Sequence, residues 1–224
     1  MTEHDHSHDH DHDHDHGHDH DHDHDHDHDH GHDHDHGPSA EEFERAQAEA
    51  ARRRALQQIR QYPDPALQLK AHEVEIFDES LMNLVERMMG LMKDAGGVGL
   101  AATQIGILQR VFVFEPDDDG PKAIVNPVVS NVGSDKDSDE EGCLSLQNVR
   151  VDVERPTKLT LSGKDPEGND VTYDLEGYGA RVVQHELDHL DGVLIIDRTD
   201  AASRKEALGI LRPTPVLTEP VLPR

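Results

Sequence analysis

Apolar positions along this chain recur at two spacings, and the change between them marks its elements. Leu81, Leu84, Val85, Met88, Met89 and Met92 fall three or four residues apart, the repeat of one helical face. Asp78 stands where an N-cap belongs, and Gly96-Gly97 marks the exit. Shorter runs with strand character follow at Arg110 to Phe114, Ala123 to Val132, Leu146 to Val153, Lys158 to Ser162 and Val171 to Leu175. The turn sequence Asp-Pro-Glu-Gly-Asn at 165–169 separates the last two. Helical spacing returns from about Gly179 to Leu190, and again from about Ala201 to Leu211, where Pro213 and Pro215 close it. Upstream, Ser39 and Glu42 form a capping-box pattern opening a helix through about Gln61. Its stripe of Phe43, Ala46, Ala50, Leu56 and Ile59 is thin, Arg52 to Arg54 read as solvated, and Tyr62-Pro63-Asp64-Pro65 breaks it. Helices flanking mainly antiparallel strands predict an α+β domain around the 179–190 helix. The acidic stretch Asp135 to Glu141 reads as a solvated surface loop.

Residues 1–37 have no such pattern. Seventeen of the 20 histidines lie there, alternating with Asp from His4 to His36, and Met1 is the only apolar residue. Such a segment cannot offset its ordering entropy by burial, so disorder is the expectation. The organisation expected is a His/Asp-rich tail at 1–37, a helical adapter at 38–55, a catalytic domain at 56–213 and a Pro-rich end at 214–224. The formal charge of −27 divides almost evenly, −14 on the tail and −13 on the rest. That sign repels nucleic-acid backbones and argues against nucleic-acid recognition. With no long apolar run and no signal-peptide start, no membrane association is expected, and a single cysteine, Cys143, fits the reducing cytoplasm.

The chemistry concentrates in His185-Glu186-Leu187-Asp188-His189. Two histidines four apart project from one helical face toward a common divalent ion, with Glu186 beside them to move protons on an activated water. A catalytic ion needs a third protein ligand. Ile195 occupies the place of a third histidine in one protease class, which excludes that class; Glu206 is available downstream, but reads as helix surface. Cys143 remains, in Glu141-Gly142-Cys143-Leu144-Ser145. A Cys/His/His set accommodates Fe(II), Zn(II) or Co(II). Between the Met-rich helix and the first strand, Gly97 to Gln104 offers Gln104, whose amide can donate to an oxygen that becomes negative during attack on a carbonyl.

In this order, Gly97 to Gln104, Glu141 to Ser145 and Gln184 to His189 closely resemble the three motifs of the peptide deformylase family. The resemblance runs from about Leu56 to Pro213. It implies an enzyme that removes the N-formyl group from the initiator methionine of nascent polypeptides, releasing formate. By position, Cys143, His185 and His189 would hold the metal, usually Fe(II) in this family, with Ni(II) also possible. Glu186 would take a proton from water and pass it to the leaving amine. Gln104 and the backbone N–H of Leu144 would stabilise the oxyanion, Val98 and Gly99 would pair with substrate backbone, and Glu141 and Arg150 would border the substrate. Thr103 and Gln147 stand where the family commonly has Pro, which implies altered loop rigidity or peptide preference. A monomer that transiently meets the ribosome is the expected state.

Two further readings stay open on the residues alone. One is an endopeptidase of the His-Glu-x-x-His type with Glu206 as third ligand. The other is a catalytically silent homologue whose tail buffers metal, since imidazoles alternating with carboxylates along an extended chain attract Zn(II), Ni(II) or Co(II).

Overall fold

Four consecutive residues locate the middle of the structure. Val111, Phe112, Val113 and Phe114 are all fully buried. Because strand side chains alternate, Val111 and Val113 enter one apolar cluster and Phe112 and Phe114 another. A strand covered on both faces lies inside a sheet with layers above and below.

The computed structural model describes residues 39–116 and 120–212. The His/Asp tail and the 214–224 end, with the expectations placed on them, lie outside the described residues. Two helices lead, α1 (Ala40–Gln58) and α2 (Glu79–Ala95). Seven strands follow: β1 (Gly99–Ala101), β2 (Val111–Phe114), β3 (Lys122–Ser130), β4 (Lys136–Cys143), β5 (Leu146–Pro156), β6 (Lys158–Lys164) and β7 (Asp170–Glu176). Helices α3 (Gly177–Leu190) and α4 (Ala201–Ile210) close the order. Every strand pairing is antiparallel; β1-β2-β3-β6-β7 make one sheet and β4-β5 a two-stranded hairpin. The α+β expectation is met.

Each face of the large sheet has its own helix. Leu81, Val85, Met88 and Met92 of α2 pack with Ala55 and Ile59, Leu100 of β1 and the valines of β2. Ala180, Val182, Val183 and Leu190 of α3 pack with the β2 phenylalanines and Leu159 and Leu161 of β6. A third cluster joins Leu146, Val149, Val151 and Val153 of β5 to Ile195, Ile196 and Ala207. Helix α3 therefore lies between the sheet and the hairpin, buried on nearly every side. β1 is at an end of its sheet, so one of its backbone edges has no strand partner among the described residues. None of the described helices is long and apolar enough to cross a membrane.

The largest departure from expectation is the acidic stretch. Residues 136–143 form strand β4, not a loop. Asp and Glu are poor strand formers, and of the acidic side chains here only Glu141 is buried. The ladder to β5 holds the strand, with the cross-strand pair Lys136–Glu154 at 2.8 Å. The first helix also stops at Gln58, before the expected Gln61. The 165–169 turn forms as expected, closed by Gly168 N–H donating to the Asp165 carbonyl at 3.0 Å.

Candidate active site

Antiparallel pairing of β4 with β5 brings Cys143 over the α3 histidines. Cys143 Sγ lies 3.2 Å from His189 Nε2. The ligand atoms of Cys143, His185 and His189 all lie within 4.8 Å of one another. A tetrahedral ion with S and N bonds of about 2.3 and 2.0 Å spaces its ligands roughly 3.5 Å apart, so the cluster has the right size for one ion. It is the only such group among the described residues. Glu206 is exposed on α4 and has no part in it.

The second layer is charged and buried. His185 Nδ1 meets Glu141 Oε2 at 3.0 Å, which turns its Nε2 toward the cluster. Glu141 also accepts from Arg155 at 2.6 and 2.9 Å and from Arg181 at 2.9 Å. Arg155 in turn donates to Asp188 at 2.9 Å, and Asp188 also pairs with Arg198. Burial alone would raise the Glu141 pKa, but hydrogen bonds from His185 and Arg155 outweigh it and hold the carboxyl at about 2. For His185 burial works against the proton, yet hydrogen bonds with Cys143 and Glu141 push its pKa up to about 10. His189, buried and facing His185, is lowered well below its ordinary value.

This geometry changes one expected role. The carboxylate of Glu141 is committed to His185, Arg155 and Arg181, so it braces a histidine of the cluster and has no oxygen left over for a substrate side chain. Sequence reasoning passed over Arg155, Arg181 and Asp188, although their positions carried a signal. Arg155 continues the inward alternation of Val149, Val151 and Val153, and Arg181 lies one turn before His185 on the same helical face.

Glu186 is 4 % exposed, and its Oε2 has no hydrogen-bond partner among the described residues. Burial, only partly countered by His185 and Arg155, pushes its pKa up to about 7. A Cβ built on Gly99 would collide with that carboxylate, so the absent side chain lets β1 lie directly over Glu186. Gly97 serves similarly beside Leu144, whose Cδ1 would be 2.8 Å from a Cβ there. Gln104 is 1 % exposed, and its Oε1 accepts from Ala101 N–H at 2.8 Å. That fixes the amide so that Nε2 donates to Ser145 Oγ at 3.1 Å and faces Cys143 Sγ at 3.7 Å. Thr103 donates its hydroxyl to the His189 carbonyl at 3.1 Å, tying this loop to α3. Gln147, the other departure, bonds Gln61 at 3.1 Å.

A cleft of about 640 Å³ opens onto the cluster. Val98, Gly99, Leu144 and Arg150 line it, with His185 and Glu186 at its base. Arg150 is exposed and pairs with Glu140 at 3.4 Å. The Val98 carbonyl accepts from Glu115 N–H at 2.9 Å. By ladder alternation, Gly99 presents its backbone groups to the opposite, open edge.

Comparison with known proteins agrees with the geometry. Residues 56–205 match the family model described as polypeptide deformylase. The chain is 45% identical over 161 residues to peptide deformylase 1 of Corynebacterium glutamicum, covering 70% of this chain and 95% of that protein. The crystal structure of peptide deformylase from Thermotoga maritima superposes with a TM-score of 0.62 at 45% identity, covering 63% of this chain and 96% of that one. An Arabidopsis thaliana peptide deformylase 1B structure with an inhibitor gives 0.66 at 35% identity, covering 69% and 87%. With Cys143, His185 and His189 gathered around one point in this fold, the chain belongs to the polypeptide deformylase family.

Proposed function

We propose that this cleft removes the N-formyl group from the initiator methionine of nascent polypeptides, releasing formate and a free amine. Membership of the family makes the chain a metal-dependent enzyme that deformylates nascent peptides. The observation that carries this proposal is the buried Glu186 carboxyl beside the Cys143, His185 and His189 cluster, in a cleft edged by an open strand.

Cys143, His185 and His189 would hold one divalent ion, Fe(II) on this reading, with Zn(II), Ni(II) or Co(II) as the alternatives. When bound, it supplies Lewis acidity, lowering the pKa of water to about 7 and polarising the formyl oxygen. Glu186, poised near neutrality, takes the proton from the attacking water and delivers it to the leaving nitrogen. Gln104 Nε2 and the Leu144 N–H donate to the oxygen that becomes negative. Gly99 pairs its backbone with the peptide along the open edge of β1, and Arg150 borders the methionine side chain. Glu141 keeps His185 Nδ1 engaged so that the other ring nitrogen faces the metal.

Formate release from a formyl-Met peptide, assayed anaerobically with Fe(II), tests this reading. Turnover by the wild type that collapses in Glu186→Gln is the expected result. No turnover by the wild type would instead support a catalytically silent homologue. The endopeptidase reading has lost its third ligand, since Glu206 lies outside the cluster. We further infer that the His4 to His36 histidines take up additional divalent ions. Titration calorimetry with Zn(II) should find several more sites on the full chain than on one starting at Ser39; equal uptake would remove this function from the tail.

A further inference from the structure

The family match begins at residue 56, but the lining of the cleft reaches back to Arg52 on α1. Arg52 Nε donates to the carbonyl of Ala95, the last residue of α2, at 3.2 Å. From Ala95 the chain passes through Gly96, Gly97 and Val98 to Gly99, which abuts Glu186, and all five residues line the same cleft. One end of this run is the reacting centre and the other is a guanidinium. A peptide whose formyl group lies at the cluster, and whose backbone follows the open edge of β1, leaves the site along it. Beyond the methionine such a peptide enters the part of the cleft that Arg52 lines, and the second and third residues after the methionine are the ones there to meet it.

Arg52 is suited to meet charge there. The side chain is exposed, permanently positive, and has spent one of its five N–H donors. Of the other cleft arginines, Arg181 is held inside by Glu141, and Arg150 pairs with Glu140 at the exposed rim. Its neighbour Arg53 pairs with Glu49, whereas Arg52 enters no ion pair among the described residues. Resting on the deformylase reading, we propose that Arg52 is a specificity residue, selecting formylated peptides with Asp or Glu at the second or third position after the methionine. The plainer role, capping the last turn of α2, uses a single N–H and is indifferent to substrate charge.

The test uses the full chain loaded with Fe(II) and two peptide series, formyl-Met-Ala-X-Ala and formyl-Met-Ala-Ala-X, with X as Asp, Ser or Lys. In one series, kcat/KM for Asp should exceed that for Lys by about two- to fivefold, the size of an exposed ion pair. The preference should lie in KM and shrink at high salt. Arg52→Glu should invert the Asp/Lys ratio, and Arg52→Gln, which retains an N–H for Ala95, should bring it to about one. Because each ratio is taken within one protein, a general loss of activity or stability does not imitate it. Calorimetry of the unformylated Met-Ala peptides should show the same order of affinities. A ratio near one in the wild type, or one that both variants leave unchanged, overturns the proposal while turnover of the Ser peptide keeps the deformylase reading standing. Failure to turn over the Ser peptide removes that reading, and this inference with it.

Discussion

The two walls of the cleft are built on opposite terms. On the α3 side, Glu141, Arg155, Arg181 and Asp188 lie inside the protein, and each charge touches an opposite one. On the α1 and β1 side, the lining is glycine backbone with the apolar Leu56, Ala95 and Val98, and charge sits on the exposed face of α1. The contrast follows from what each wall must hold. Metal ligands and a proton carrier need fixed positions, which a partnered buried network provides at the cost of desolvation. A peptide of varied sequence needs only backbone partners and room to approach, which a glycine-edged strand supplies.

The largest effect should come from removing the proton carrier on the rigid wall. Glu186→Gln keeps the shape of the side chain and should lower kcat by about 10²- to 10⁴-fold, measured as formate release with metal content checked in the same sample. A variant within tenfold of the wild type would mean that proton transfer runs through another group. Cys143→Ala should abolish stoichiometric metal in a chain starting at Ser39, where the tail cannot supply ions of its own. Retained metal there would contradict the Cys/His/His assignment.

Next comes the network itself. Glu141→Gln leaves Arg155 and Arg181 buried beside a neutral amide, and breaking a buried ion pair from one side costs about 3–5 kcal/mol, readable in urea unfolding. It should also weaken metal binding by about 10- to 100-fold, because His185 loses the partner that orients it. The pH dependence has a definite sign. The folded pKa of Glu141 is held at about 2 against an ordinary 4.5, so its contribution is complete above pH 4.5 and is lost as pH falls toward 2. That contribution is about 3 kcal/mol. The stability gap between wild type and Glu141→Gln should therefore narrow over this window, and a gap independent of pH would show that the Glu141 charge is not what stabilises the wall.

On the backbone wall the two glycines should separate. Gly99→Ala drives a methyl into the Glu186 carboxylate and should cost about 10²-fold in kcat by displacing the proton carrier. Gly97→Ala meets only Leu144 Cδ1, the far end of a flexible side chain, so a loss of about fivefold or less is expected. Equal losses would show that close approach along the whole 97–99 segment matters, and not the contact with Glu186 alone.

How much of this could be read beforehand depends on whether a residue's neighbours are local. The candidate ligands His185 and His189 and the proposed proton carrier Glu186 share one helix, so their spacing exposes them. Cys143 was reachable as the only cysteine beside a glycine, and Gln104 as an amide in a motif of the resembled family. The α2 stripe forms as its periodicity predicts, with Leu84 and Met89 at its half-buried margin. The β4 strand was missed because its partner, not its composition, makes it a strand. The setting of Glu141 depends on Arg155 and Arg181, 14 and 40 residues away. Arg52 was read as solvated, which it is; that it also borders the cleft follows from how α1 packs on α2, and no local pattern encodes that crossing.

The smallest effect belongs to the exposed face of α1, and its smallness is informative. Arg53 and Glu49 pair at 3.4 Å, one turn apart, with 71% and 76% of their side chains exposed. Solvent screens such a pair, and holding two long side chains together costs rotamer entropy, so the coupling in a double-mutant cycle should be about 0.5 kcal/mol or less. Arg53→Ala should also leave the Asp/Lys preference of the substrate series unchanged, because Arg53, unlike Arg52, does not line the cleft. Coupling well above 1 kcal/mol would mean that this face is covered in solution, since only desolvation could strengthen the pair that far. The contrast between a charged, covered wall and a solvated one would then fail at α1, the element on which the open wall depends.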